Sequence, residues 1–344
     1  MSSTSRLTRF LRPLALIFAA VLGLSLAACS SDDDTDGGDI TIEHAFGTTE
    51  IKGTPERVAT VNWSNQEVPL ALGVVPVGMA KANFGGADVL PWVRDRLDEL
   101  GATGDGDVEA PVLFDETDGV DFEAVADTRP DVILAGYSGL TEEDYDKLSE
   151  IAPTVPFPKG QIAWGTTWRE NIGIESKALG KEQEGKDLIA SLESEIAEKA
   201  AEHPAVKDKR TMFLTHVDPT DLSQVSFYST HDARTQFFTD LGMSTPESIR
   251  TWSDENDRFN GTLSAEQSDV FSDVDIIVTY GDAAMLKTLQ DDPVLGQIPA
   301  IRNGAVVLLG DDALGTAANP TPLAISYILD DYLKVLDEAA AKAR

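Results

Sequence analysis

The chain has 344 residues, 42% of them hydrophobic and 25% charged, which is a globular composition and excludes a wholly disordered or low-complexity architecture. Fifty-nine acidic residues against 27 Lys and Arg leave a net charge of −32, the wrong balance for a nucleic-acid partner, whose affinity rests on Lys and Arg neutralising phosphates. One cysteine rules out an intrachain disulfide and a Cys-based zinc site.

In chain order, Arg6, Arg9 and Arg12 precede an uncharged apolar run from Leu14 to Ala28. That run is short of the roughly 20 apolar residues a spanning helix needs, so residues 1–28 read as a secretory signal. Its end, Leu26-Ala27-Ala28-Cys29, resembles a bacterial lipobox, which makes Cys29 the expected site of lipidation. Residues 29–39 carry almost no apolar side chain and read as a flexible tether. The expected location is extracytoplasmic, anchored to the cell membrane through that lipid.

Beyond the tether, strand and helix alternate. Ile40–His44 is expected to pair with Glu50–Lys52 across a turn at residues 47–49. Strands are expected at 57–61, 74–79, 131–135 and 154–157, with helices at 66–72, 89–100, 122–127, 142–151 and 170–180. Residues 181–201 are rich in Ala, Glu, Lys and Leu, with Leu188, Leu192, Ile196 and Ala200 at four-residue spacing; they predict one long helix. The alternation then resumes: strands at 211–215, 275–279 and 305–309, helices at 234–241, 265–271, 283–289 and from about Leu323 onward. The fold class expected is α/β, as two lobes joined by one long helix. The bounds are 40–180 for the first lobe, 181–204 for the linker helix and 205–344 for the second.

Catalytic signatures are mostly absent. There is no GxxxxGK[ST], GxGxxG or HExxH run. Gly136-Tyr137-Ser138-Gly139 is one residue short of a nucleophile elbow, which keeps a secreted α/β hydrolase centred on Ser138 as a rival reading. His44, His203, His216 and His231 have no i, i+4 ligand spacing, so no directly bound metal and no cofactor are expected. What stands out is aromatic and polar residues just past strand ends: Asn62-Trp63, Lys81 and Phe84, Tyr137-Ser138, His216, Tyr228 and Tyr280. Open α/β sheets bind ligands beyond those ends, and two lobes place a ligand cleft between them.

Several blocks resemble the periplasmic-binding-protein lobes of iron–siderophore ABC importers. They are residues 54–58 with 67–79, 121–134, 145–155, 263–267 with 274–277, and 298–304. The resemblance implies two Rossmann-like lobes bridged by the long helix, limited hinge motion and no catalysis. It implies an expected cargo of ferric siderophore, with haem or a corrinoid as alternatives in the same fold; Tyr137, Tyr228 and Tyr280 are the candidate haem ligands. The iron would arrive within the cargo. The residues expected to face cargo are Asn62, Trp63, Lys81, Phe84, Tyr137, Ser138, Trp164, Tyr228, Arg234, Trp252, Arg258 and Tyr280. Arg234 and Arg258 could hold an iron chelate's oxygens or pair with nearby Asp232 and Asp257. The resemblance also implies docking on the permease through one Glu of each lobe, here Glu123 and Glu266. A monomer is expected, with the permease and the membrane as partners.

Overall fold

The computed structural model describes residues 38–104 and 108–343. The signal segment, Cys29 and tether residues 29–37 lie outside the described residues.

The first half holds β1 (Ile40–His44), β2 (Gly47–Ile51), β3 (Val58–Thr60), α1 (Glu67–Ala71), β4 (Gly78–Ala80), α2 (Pro91–Glu99), β5 (Val112–Phe114), α3 (Phe122–Asp127), β6 (Val132–Leu134), α4 (Glu142–Ser149), β7 (Thr154–Val155) and α5 (Trp168–Ala178). Helix α6 (Glu182–Ala201) follows. The second half holds β8 (Thr211–Phe213), β9 (Gln224–Tyr228), α7 (Ala233–Asp240), α8 (Glu247–Asp254), β10 (Asn260–Ser264), a 3-10 helix at Ala265–Asp273, β11 (Ile276–Tyr280), α9 (Ala283–Asp291), α10 (Pro299–Asn303), β12 (Val306–Leu309), α11 (Ala313–Ala317) and α12 (Pro322–Ala340).

Two parallel sheets result. One has the order β5-β4-β3-β6-β7 and the other β12-β11-β8. Their central strands β3, β6 and β11 are buried throughout and read as continuous apolar runs, as strands covered on both faces must. In the first sheet the chain runs outward through β4 and β5, then returns to pair β6 on the other side of β3. The reversal between β3 and β6 is a topological switch point, where a doubly wound sheet opens a crevice.

Good helix formers and an apolar stripe shape α6: Leu192 and Ile196 are buried, and Leu188 packs partly buried against the same cluster. Helix α12 lies across α6 and also packs on α1 and α2. One apolar cluster therefore runs from Val68 and Leu70 through Leu192 and Ile196 to Phe213, Ile276, Ile328 and Leu336. Both sheets share that core, which restrains motion of one against the other.

Two expectations need correction. The β1–β2 turn is at Ala45-Phe46, because His44 pairs with Gly47 and Ile40 with Ile51; Gly47–Thr49 are strand residues. The segment 265–271 winds as a 3-10 helix. The sequence reading also missed β5, the antiparallel ribbon β9–β10, and helices α8, α10 and α11.

Candidate functional site

The C-terminal ends of the strands converge on three adjoining cavities. The central one, of about 400 Å³, is lined by Trp63 after β3, Asn83 and Phe84 after β4, Tyr137 after β6, Tyr228 at the end of β9, Tyr280 at the end of β11, and by Trp164, His216, Arg234, Phe259, Thr316 and Asn319. A second, of about 240 Å³, shares Trp63, Asn83 and Trp164 with it and adds Asn62, Ser64, Gln66, Lys81, Glu116 and Thr117. A third, of about 570 Å³, shares Phe84, His216 and Tyr280 and adds Asp282 and Asp311.

The backbone here is held in an uncommon conformation. Among the described residues, five non-glycine residues have positive φ, and Asn62, Ser64 and Trp164 are three of them. Such residues persist only where the surroundings over-determine them. Asn65 supplies part of that constraint. Its buried amide donates to the Val61 and Tyr137 carbonyls at 2.7 and 3.0 Å and accepts from the Tyr137 N–H at 2.8 Å. One side chain thus ties together the loops after β3 and β6 at the switch point. Trp164 is set by Gly139: a Cβ built there would lie 2.1 Å from the indole Nε1, so glycine is needed for the ring to reach Tyr137, 5.4 Å away edge-on.

Aromatic rings form most of the wall. His216 stacks on Tyr280 with ring centres 4.2 Å apart, and Phe84 meets both edge-on. Burial pushes the Tyr228 phenol up to about 12, although the Arg234 guanidinium pulls it back. Burial likewise raises Tyr137 and Tyr280. These phenols stay protonated and act as hydrogen-bonding groups.

Charge is sparse and paired. Arg234 forms a two-pronged ion pair with Asp232, at 2.8 and 2.7 Å, and lies 3.7 Å over the Tyr228 ring. Lys81 pairs with Asp115 at 2.7 Å. Glu116 accepts from the Asn62 backbone and side chain at 2.9 and 3.3 Å. Burial pushes its carboxyl up to about 7, against the pull of those two bonds, and its other oxygen has no partner.

Residues 58–313 match the family described as periplasmic binding protein. The chain belongs to the periplasmic binding protein family. It is 43% identical to PiaA of Streptococcus pneumoniae TIGR4, solved in complex with ferrichrome, with a TM-score of 0.83 over 89% of this chain and all of that one. A periplasmic solute binding protein of Mycobacterium smegmatis is 26% identical, with a TM-score of 0.70 over 88% of this chain and 99% of the other. The probable siderophore-binding lipoprotein YfiY of Bacillus subtilis (strain 168) is 24% identical, covering 92% of this chain and 96% of its own length. The expected α/β fold of two lobes is the fold of this family, and the family is one of substrate-binding proteins.

Of the residues singled out in the sequence, nine line the joined cavities of this periplasmic binding protein: Asn62, Trp63, Lys81, Phe84, Tyr137, Trp164, Tyr228, Arg234 and Tyr280. Three do not. Ser138 is fully buried and its Oγ has no hydrogen-bond partner, so no histidine is placed to activate it. Trp252 is partly buried and packs edge-on against Phe227 over Gly261, on the second half's own core. Arg258 is exposed and outside the cavity linings; its carbonyl accepts from the Ser229 hydroxyl and its backbone N–H donates to the Asn256 carbonyl. Among the described residues no group of three or more His, Cys, Asp or Glu could hold a metal ion.

Sequence reasoning missed Asn83, Glu116, Phe259, Thr316 and Asn319. His216 carried the strand-end signal but was left out of the candidate set. Glu116 was hidden because β5 exposes Val112 and Leu113 and reads poorly as a buried strand. Glu123 and Glu266 are exposed, each in the first turn of its helix, after the N-caps Asp121 and Ser264. Among the described residues no helix is long and apolar enough to cross a membrane.

Proposed function

We propose that this chain captures a ferric siderophore in the aromatic cavity and delivers it to the permease of an ABC importer, without catalysing a reaction. The lobes would span 40–180 and 205–344, bridged by a linker at 181–204. The protein would work as a monomer outside the cytoplasm, tethered through a lipid on Cys29. Glu123 and Glu266 would meet arginines of the permease. Iron would enter as part of the cargo, with no cofactor resident in the protein.

One observation carries the reading. Seven Phe, Tyr and Trp rings, the His216 imidazole and a single guanidinium converge on one cavity. That is the chemistry for a bulky chelate with an apolar periphery and a few acceptor oxygens. Ferrichrome, the ligand of the Streptococcus pneumoniae relative, is such a chelate. Haem is the second reading, with Tyr137, Tyr228 and Tyr280 as its candidate ligands, since all three phenols line the central cavity.

The test is a titration of the purified protein by intrinsic fluorescence, since Trp63 and Trp164 lie in the cavity wall. Ferrichrome is expected to quench emission saturably at one equivalent. Saturation by haemin alone would replace the siderophore reading by a haem-binding one.

A further inference from the structure

We infer that Asp232 sets the charge class of the cargo: by offsetting the guanidinium of Arg234 through a two-pronged ion pair it makes the site favour an electroneutral ferric chelate, of the tris-hydroxamate type, over an anionic one. The inference rests on the ferric-siderophore reading above.

Asp232 is fully buried, whereas the Arg234 side chain remains 14% exposed at the cavity wall. The carboxylate does three things at once. It caps α7 by accepting from the Arg234 backbone N–H at 2.9 Å, and it accepts from Nε and Nη2 of the same residue. It thereby occupies one edge of the guanidinium while Tyr228 covers a face. Two of the five N–H donors are used on Asp232, the guanidinium also engages the Tyr280 hydroxyl, and both Arg234 and Tyr280 line the central cavity. What the cavity receives is a rigid fork of hydrogen-bond donors whose charge Asp232 offsets in part, Arg234 still outweighing it at the neighbouring phenols.

The rest of the lining carries no compensating cation. Lys81, in the adjoining cavity, is paired with Asp115. Asp282 and Asp311 add acidic groups beside the third cavity, in a chain of net charge −32. Three singly charged hydroxamates balance Fe(III), so their complex enters without net charge and offers its oxygens to the fork. Three doubly charged catecholates leave three negative charges, which would lose hydration in an aromatic cavity with one already paired guanidinium to offset them. The like-signed field of the protein adds repulsion during approach. Discrimination therefore comes from damping the charge of the donor that cargo must use.

The experiment compares ferrichrome with a ferric tris-catecholate, on the wild-type chain and on Asp232→Asn, by fluorescence titration with a thermal melt of each variant. Wild type is expected to bind ferrichrome at least about 100-fold more tightly, with an affinity that changes little with salt. Asp232→Asn frees the guanidinium charge, and the ratio is expected to narrow by about tenfold or more. A merely structural role would weaken both ligands alike and leave the ratio in place, which overturns the assignment. If Asp232→Asn does not fold, Asp232→Asn/Arg234→Gln takes its place, since it buries no unpaired charge. It is expected to bind both chelates more weakly with the wild-type ratio kept, and collapse of that ratio overturns the inference. Wild-type preference for the tris-catecholate overturns it too, while leaving the siderophore reading intact. Failure to bind any ferric chelate removes the siderophore reading itself.

Discussion

The carboxylate of Glu67, in α1, accepts a hydrogen bond from the hydroxyl of Thr321, the N-cap of α12, 254 residues further along the chain. The same buried group accepts from Trp92 Nε1 at 2.7 Å and from the backbone N–H groups of Leu323 and Ala324 at 3.2 and 3.3 Å. It thus fastens the start of the last helix to the first half of the molecule, where the helix dipole favours an acidic group. Together with the shared core, this contact limits how far the two sheets can open.

That clasp predicts a pH dependence. Burial pushes Glu67 up to about 7, and the four donors only partly pull it back. A carboxyl raised in the folded state stabilises through its neutral form. The contribution is fully present below its unfolded value near 4.5 and is lost as pH rises through about 7. Its size is at most about 3 kcal/mol. The melting temperature is expected to fall between about pH 5 and pH 7, and Glu67→Gln is expected to flatten that slope. Glu116 titrates in the same window, so part of the slope remains. Thermal melts across this range, with an unaltered slope in Glu67→Gln, would remove Glu67 from the account.

Gly139→Ala tests the aromatic wall. The new methyl would have to displace Trp164 from beside Tyr137. Ferrichrome affinity is expected to drop by about tenfold or more, equivalent to about 1.4 kcal/mol. Trp164→Ala is expected to show a similar loss, and the double variant little beyond it, because both changes remove the same ring. Fully additive losses in the titration would mean that Gly139 acts elsewhere.

Glu123→Ala/Glu266→Ala separates capture from delivery. Both carboxylates are exposed and neither lines the cavities, so binding and melting are expected to stay near wild type. Uptake into cells is expected to fail, since losing one member of an interfacial charge pair costs about 2–5 kcal/mol. Transport at the full rate by this variant would end the docking assignment.

Cys29→Ser removes the thiol that lipidation consumes. The variant is expected to leave the membrane fraction after an alkaline wash, or to accumulate unprocessed. Retention equal to wild type would contradict a lipid anchor at this position.

The sequence disclosed most of what periodicity can disclose. Apolar runs such as 131–135 and the stripe of α6 led directly to β6 and to one long helix. The ribbon β9–β10 stayed hidden because its strands pair Tyr228 with Asn260 across a distant stretch of chain, and β10 carries Gly261 and polar residues. Strand-end aromatics pointed to Trp63, Tyr137 and Tyr280. Thr316 and Asn319 gave no such signal: they reach the cavity from α11, a short helix after β12, and from the turn just past it. Trp252 shows the converse failure. Its ring type matched a ligand contact, but only the tertiary packing on Phe227 reveals a core residue.

The most direct measurement is the position of iron. Crystals of the protein grown with ferrichrome, with data collected at the iron absorption edge, give an anomalous peak that needs no assumption about the ligand's shape. The account predicts one strong peak in the central cavity, among Trp63, Tyr137, Trp164, Arg234 and Tyr280. An iron site elsewhere on the molecule, or ligand-free cavities at saturating ferrichrome, would contradict it.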